Sequence, residues 1–326
     1  MNMTVDELRK NMNECGSLKV PFLFAVDFEM SEGLFIKNPE EQHEVYFRTP
    51  LGGNRTESPS SSGTRPLLNF SPISYEEYEK RFAVVQSGLM GGDSFLVNLS
   101  VKTPVTTTLS MEEIFQRSSA LYNLYIPGRL VCFSPERFVL IKDGKIRTNP
   151  MKGTIDAKIP DAERVILANN KEIAEHYTVV DLLRNDIGIV AKKVCVERFR
   201  YIDRIKTREK EILQVSSEIT GELPDDYLSR LGDIVLPMLP AGSVSGAPKR
   251  STLDIIRRAE GEKRGFYTGV FGFFDGEALD CGVLIRFIEK EADGNLFFHS
   301  GGGITIHSNA RDEYNETLAK IYLPFL

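Results

Sequence analysis

The chain has no tryptophan, only four cysteines and four histidines, and no long apolar run anywhere in its 326 residues. Each shortage bears on a class of function. Cys15, Cys132, Cys195 and Cys281 show no paired spacing, which speaks against a disulfide framework and against a thiolate metal site. No stretch approaches the roughly 20 apolar residues that cross a bilayer. The polar start Met1-Asn2-Met3-Thr4-Val5-Asp6-Glu7 lacks the basic flank and apolar core of a secretory signal. A cytoplasmic protein without membrane contact is expected. Its net charge of -6 comes with no basic stripe, so nucleic acid is not an expected partner, because such binding needs clustered cations to displace counterions.

What is present suits a globular enzyme. With 41% hydrophobic and 26% charged residues, the chain can bury a large core. It shows no clean linker and no internal repeat, so residues 1–326 are expected to form a single domain. Alternating residues predict strands in 22–36, 94–101, 130–133, 137–146, 212–219, 266–274, 278–288 and 296–300. Helical spacing recurs over 75–89, 111–122, 161–186, 225–236, 249–259 and 312–322. Asp143-Gly144 predicts a two-residue hairpin turn, and the Gly, Pro, Ser and Asn of Thr49 to Pro72 predict a long loop. Adjacent strands with few helices between them imply antiparallel sheets covered by helices. The fold class is therefore α+β, or mixed α/β layers, and not a doubly wound nucleotide fold.

Several stretches carry groups capable of chemistry. Lys152 sits in Asn149-Pro150-Met151-Lys152-Gly153-Thr154, straight after the hairpin. Glu172 and Glu175 lie one helical turn apart, as do Glu313 and Glu316 on a later helix. Brought together, the two pairs would make an oxygen-rich site of the kind that holds Mg²⁺. Taken alone, a loop lysine or an acidic helix pair is most often a solvated group. The run from Pro240 to Lys249, with Ser243 inside it, and the run His299-Ser300-Gly301-Gly302-Gly303-Ile304 are small-residue segments whose amides can approach an anion closely. Arg286 ends an apolar strand and offers a fork that matches a carboxylate, or else pairs with Glu289 or Asp280.

Together these stretches resemble the chorismate-utilising enzymes, the family of anthranilate, isochorismate and aminodeoxychorismate synthases. The resemblance runs from about Tyr75 to Leu326 and rests on motifs in family order. They include Gly92 to Leu99, Ser134-Pro135-Glu136-Arg137-Phe138, Lys171 to His176, Asp181-Leu182-Leu183-Arg184-Asn185-Asp186, Pro240 to Lys249, and Glu313 to Thr317. Residues 75–326 would form the chorismate-binding catalytic region, with 1–74 a shortened, variable N-terminal part. The resemblance implies an anthranilate-synthase component I-like fold with antiparallel sheets packed face to face.

It also implies roles. Pro150-Met151-Lys152-Gly153-Thr154 is similar to the Pro-x-Lys-Gly-Thr pattern of members that aminate chorismate at carbon 4, where anthranilate and isochorismate synthases typically carry Ala. Lys152 would attack ring carbon 2 and expel the carbon-4 hydroxyl. Ammonia from a glutamine amidotransferase partner would then displace the lysine, giving 4-amino-4-deoxychorismate on the route to 4-aminobenzoate and folate. Glu136 resembles the general acid or base. Glu175 and Glu316 would bind Mg²⁺ directly, and Glu172 and Glu313 through water. Thr154, Ser243, Tyr267, Arg286, the backbone of Gly301, Gly302 and Gly303, and Lys320 would bind the substrate and its carboxylates. An anthranilate or isochorismate synthase, and a non-catalytic scaffold for a glutaminase, are the competing readings. A lysine amine attacks only when neutral, and an unperturbed one is neutral in only about 0.1% of molecules near pH 7.4, so a base or desolvation has to help.

Two departures stand out. His307-Ser308-Asn309-Ala310-Arg311 replaces the family's usual Asp-Ser-x-Pro-Glu ahead of the last acidic pair. Gln214 stands where many relatives carry His, and an amide hydrogen-bonds without transferring a proton.

Overall fold

The computed structural model describes residues 2–54, 67–206, 211–323 and 325. Among the described residues the strands form two antiparallel sheets of ten and nine members. Eight α-helices accompany them: α1 Val5–Ser17, α2 Tyr75–Met90, α3 Met111–Arg117, α4 Ala162–Leu167, α5 Asn170–Gly188, α6 Leu231–Val235, α7 Lys249–Glu260 and α8 Ala310–Ala319.

Strand Phe22–Val26 shows why the layers stack. All five residues are buried, as expected for a strand covered on both faces. Phe22, Phe24 and Val26 pack with Leu8, Met12 and Cys15 of α1, while Leu23 and Ala25 face the other sheet. Across that interface Phe273 of the first sheet meets Phe47 of the second, with ring centroids 4.9 Å apart. The sheets therefore pack face to face. Helices α1, α5 and α6 cover the outside of the first, and α2, α3 and α7 cover the outside of the second.

Local chemistry sets the segments that matter for function. The strands Arg137–Lys142 and Lys145–Thr148 pair through Lys142 and Lys145. Between them Asp143 and Gly144 both take positive φ, 52° and 70°, the conformation a two-residue hairpin requires. Asn169 caps α5 by accepting the Glu172 amide. The altered segment ahead of α8 still starts a helix, because the Asn309 side chain accepts the amides of Arg311 and Asp312.

Several boundaries differ from the expectations. The region 161–186 divides into α4 and α5, and 111–122 stops as helix at Arg117, with Tyr122–Ile126 forming a strand. Helix α1 was not anticipated, although Thr4 and Glu7 form the reciprocal capping box that signals such a start. Strand Lys192–Lys206 was also missed, because three register shifts break its alternation. The predicted 49–72 loop is partly strand: Gly52–Gly53 pairs back on Tyr46–Thr49, and Leu68–Phe70 pairs with Leu96–Thr107. Residues 55–66 of that expected loop lie outside the described residues.

Candidate active site

A cavity of about 310 Å³ lies between the sheets. It is lined by Glu136, Lys152, Ser243, Tyr267, Arg286, Gly301, Gly302, Gly303, Glu316 and Lys320, residues that are far apart in sequence. Lys152 is on strand Met151–Asp156 and not in the expected loop. The register of this strand against Glu211–Glu222 shifts between Lys152 and Thr154. Gly153, at φ 75°, absorbs the irregularity, and a Cβ there would stand 3.1 Å from Glu172 Oε2. Without the bulge, the two-residue period would place Lys152 and Thr154 on one face. With it, Lys152 lines the cavity while Thr154 is exposed and does not, so Thr154 is not brought to the predicted substrate site.

Glu136 accepts a 2.7 Å hydrogen bond from Ser243 Oγ. Burial pushes its carboxyl above the ordinary value, while Ser243, Lys152, Arg286 and Lys320 act in the opposite direction. Burial also pushes the Tyr267 phenol up to about 12, so its hydroxyl keeps its proton at neutral pH. Arg286 occupies the crossing from strand Leu279–Val283 of the first sheet to Phe287–Lys290 of the second, at φ 53°. That conformation is unusual for a non-glycine residue and marks a site held by its surroundings. Neither suggested partner pairs with it: Asp280 holds Arg137 at 3.0 Å, and Glu289 holds His299 at 3.1 Å. Instead the guanidinium lies over the Tyr322 ring and donates to its hydroxyl at 3.3 Å.

On the opposite wall, Lys320 donates to the Gly301 carbonyl at 2.8 Å and pairs with Glu316 at 2.8 Å. The three glycines are not equivalent. A Cβ on Gly301 would collide with the Leu99 carbonyl, whereas one on Gly302 would meet Lys320 Nζ at 3.5 Å and Glu313 Oε2 at 3.6 Å, ordinary contact distances. Gly302→Ala is therefore expected to fold within about 1 kcal/mol of wild type while raising KM for the cavity's ligand. Gly301→Ala is expected to cost about 1–3 kcal/mol or more by overpacking. Thermal melts of the two variants beside ligand titrations would separate these effects.

The two acidic pairs approach from α5 and α8. Glu175 pairs with Lys152 Nζ at 3.3 Å, Glu172 adjoins Gly153, and Glu313 and Glu316 adjoin Gly302. Among the described residues no three Asp, Glu, His or Cys side chains converge into a preformed metal cage. The donor set is nevertheless oxygen only, with Glu313 just 4% exposed. Carboxylates of this kind suit Mg²⁺, which takes a few of them and fills its other positions with water and substrate.

Sequence reasoning named His299 and Asn98 only within longer runs and gave their side chains no role, yet both line the cavity. Their signal is non-local, since strands Leu96–Thr107 and Leu296–Ile304 become neighbours only through sheet pairing. Gln214, flagged as a departure, lines the cavity too.

A family profile described as chorismate binding enzyme matches residues 3–324. The chain is 49% identical over 326 residues to an uncharacterised PabA-like protein of Haemophilus influenzae, covering 98% of this chain and 97% of that one. It is 32% identical over 268 residues to aminodeoxychorismate synthase component 1 of Escherichia coli, covering 77% of this chain but only 57% of that enzyme. The solved anthranilate synthase component I of Streptococcus pneumoniae matches with a TM-score of 0.65 at 28% identity, over 78% of this chain and 58% of that one. The menaquinone-specific isochorismate synthase of Escherichia coli shares the fold with a TM-score of 0.71 at 15% identity, over 98% of this chain and 82% of that one. The cavity and its carboxylates thus sit in an anthranilate-synthase component I-like fold, and the chain belongs to the chorismate-utilising enzymes, the family of anthranilate, aminodeoxychorismate and isochorismate synthases.

Proposed function

We propose that the chain aminates chorismate at carbon 4, giving 4-amino-4-deoxychorismate as an aminodeoxychorismate synthase component I does. The observation that carries this reading is an amine, Lys152, lining the same cavity as the Ser243-bonded carboxyl of Glu136. Glu136, ionised at rest, takes a proton from the Lys152 ammonium; the freed amine attacks ring carbon 2, both ring double bonds shift, and the carbon-4 hydroxyl leaves as water with that proton. The Glu136 carboxylate then takes the extra proton from the new C–N bond. Ammonia attacks carbon 4, and Lys152 departs with that proton restored by Glu136. Two displacements replace one difficult substitution.

Arg286, Tyr267, Lys320 and the Gly301–Gly303 amides would hold the substrate's carboxylates. Glu172, Glu175, Glu313 and Glu316 would hold Mg²⁺, which supplies charge neutralisation at one of those carboxylates. Gln214 favours an unaromatised product, because aromatisation removes a ring proton that an amide cannot accept. Ammonia would come from a glutamine amidotransferase partner. Cys15, Cys132 and Cys281 are buried, and the exposed Cys195 contacts Glu197 and Thr220.

Incubating the purified chain with chorismate, Mg²⁺ and ammonium, then reading product mass and absorption spectrum, tests the proposal. Aminodeoxychorismate supports it. Anthranilate or isochorismate would replace it with the corresponding family activity, and absence of turnover at saturating ammonium would favour a scaffold role.

A further inference from the structure

Ser243 is the hydroxyl that meets Glu136, and the residues on either side of it are held by ion pairs to which the mechanism gives no part. Ahead of it, the Gly242 amide donates to Asp186 Oδ2 at 3.0 Å. Asp186 Oδ1 takes the Lys249 ammonium at 3.1 Å, and the same ammonium donates to the Met238 carbonyl at 2.7 Å. One pair thus fastens the loop before, within and after its turn. Behind Ser243, the Val244 carbonyl accepts from Arg264 at 2.9 Å, and Arg264 is paired with Glu260 in full burial. Asp186 lies near the C-terminal end of α5, the helix that carries Glu172 and Glu175, and Lys249 opens α7. A Cβ on Gly242 would reach 2.8 Å from Asp186 Oδ2, so the close approach needs glycine.

We propose that Asp186, acting through Lys249 and the Gly242 amide, is a positioning residue that keeps Ser243 on Glu136 and so sets the proton-transfer group relative to α5. The proposal rests on the reading of Glu136 as the proton-transfer group. Lys152, Arg286 and Lys320 are the cations that face Glu136, with the Tyr267 phenol nearby. Asp186 and Lys249 do not line the cavity; their effect on Glu136 runs through Ser243. Loss of the Ser243 hydrogen bond removes an influence that lowers the Glu136 pKa. The acid limb of the rate profile then moves to higher pH.

The test is the pH profile of kcat for Asp186→Ala, Lys249→Gln, Ser243→Ala and the Asp186→Ala/Ser243→Ala double variant of the full chain, with chorismate, Mg²⁺ and ammonium. Asp186→Ala and Ser243→Ala should each raise the acid limb by about one pH unit, with KM for chorismate little changed in Asp186→Ala, which lies outside the cavity lining, and the double variant should shift no further than Ser243→Ala. Lys249→Gln, at a more exposed position, should move the limb in the same direction and keeps the test available if Asp186→Ala does not fold. A lowered melting temperature with an unmoved limb in either variant, or additive shifts in the double, would overturn the proposal. A wild type that makes a different chorismate product would defeat the functional reading alone, since the same comparison run on that product still tests Asp186.

Discussion

Lys152→Ala is expected to lower kcat with saturating ammonium on the order of a thousandfold or more, and to leave chorismate affinity within a few fold. A covalent route loses its intermediate outright when the nucleophile is removed. The fold should survive, because Lys152 pairs with Glu175 at a side-chain exposure of 30%, and partly exposed pairs contribute about 0–1 kcal/mol. Lys152→Arg sharpens the test: guanidinium preserves the charge beside Glu175 but does not deprotonate in proteins, so it should be as inactive as alanine. Steady-state rates with chorismate and ammonium, beside a melting curve, check both statements. Full activity in either variant would remove Lys152 from the chemistry.

Glu136→Gln is expected to reduce kcat about 100- to 1,000-fold, within the range general acid–base groups contribute. The amide oxygen still accepts from Ser243, so the cavity wall should keep its shape. The wild-type acid limb should lie above the ordinary carboxylate value of about 4.3, because burial is the largest influence on Glu136 and raises its pKa. Activity should fall as pH drops through that limb, where the carboxylate becomes permanently protonated and stops acting as base. In Glu136→Gln the limb should vanish along with the rate. An unchanged profile would show that another group moves the proton.

How far these sites could be read from the sequence depended on whether their signals were local. The acidic pairs were legible because one helical turn separates Glu172 from Glu175 and Glu313 from Glu316, and both segments are helical. The Asp143-Gly144 turn was legible because its conformation demands those residue types. Lys152 was legible as a functional residue only through the family pattern, and its strand was not, since Pro150 and Gly153 read as loop formers. Only pairing with Glu211–Glu222 shows that Gly153 is a bulge, and only the cavity lining shows that Thr154 is not part of it. The Lys192–Lys206 strand hid for a related reason: Lys193 and Arg200 take positive φ and interrupt the alternation. His299 and the Asp186–Lys249 pair stayed without a role because neighbours distant in sequence define them, Lys102 across the sheet for His299 and Lys249 for Asp186.

The covalent step is tested most directly by intact-mass measurement of the chain mixed with chorismate and Mg²⁺ without ammonium, followed by peptide mapping. The account predicts an added mass equal to chorismate less one water, located on Lys152, absent from Lys152→Ala and discharged when ammonium is added. An unmodified chain that turns chorismate over with ammonium at full rate, with no adduct at any time point, would contradict it.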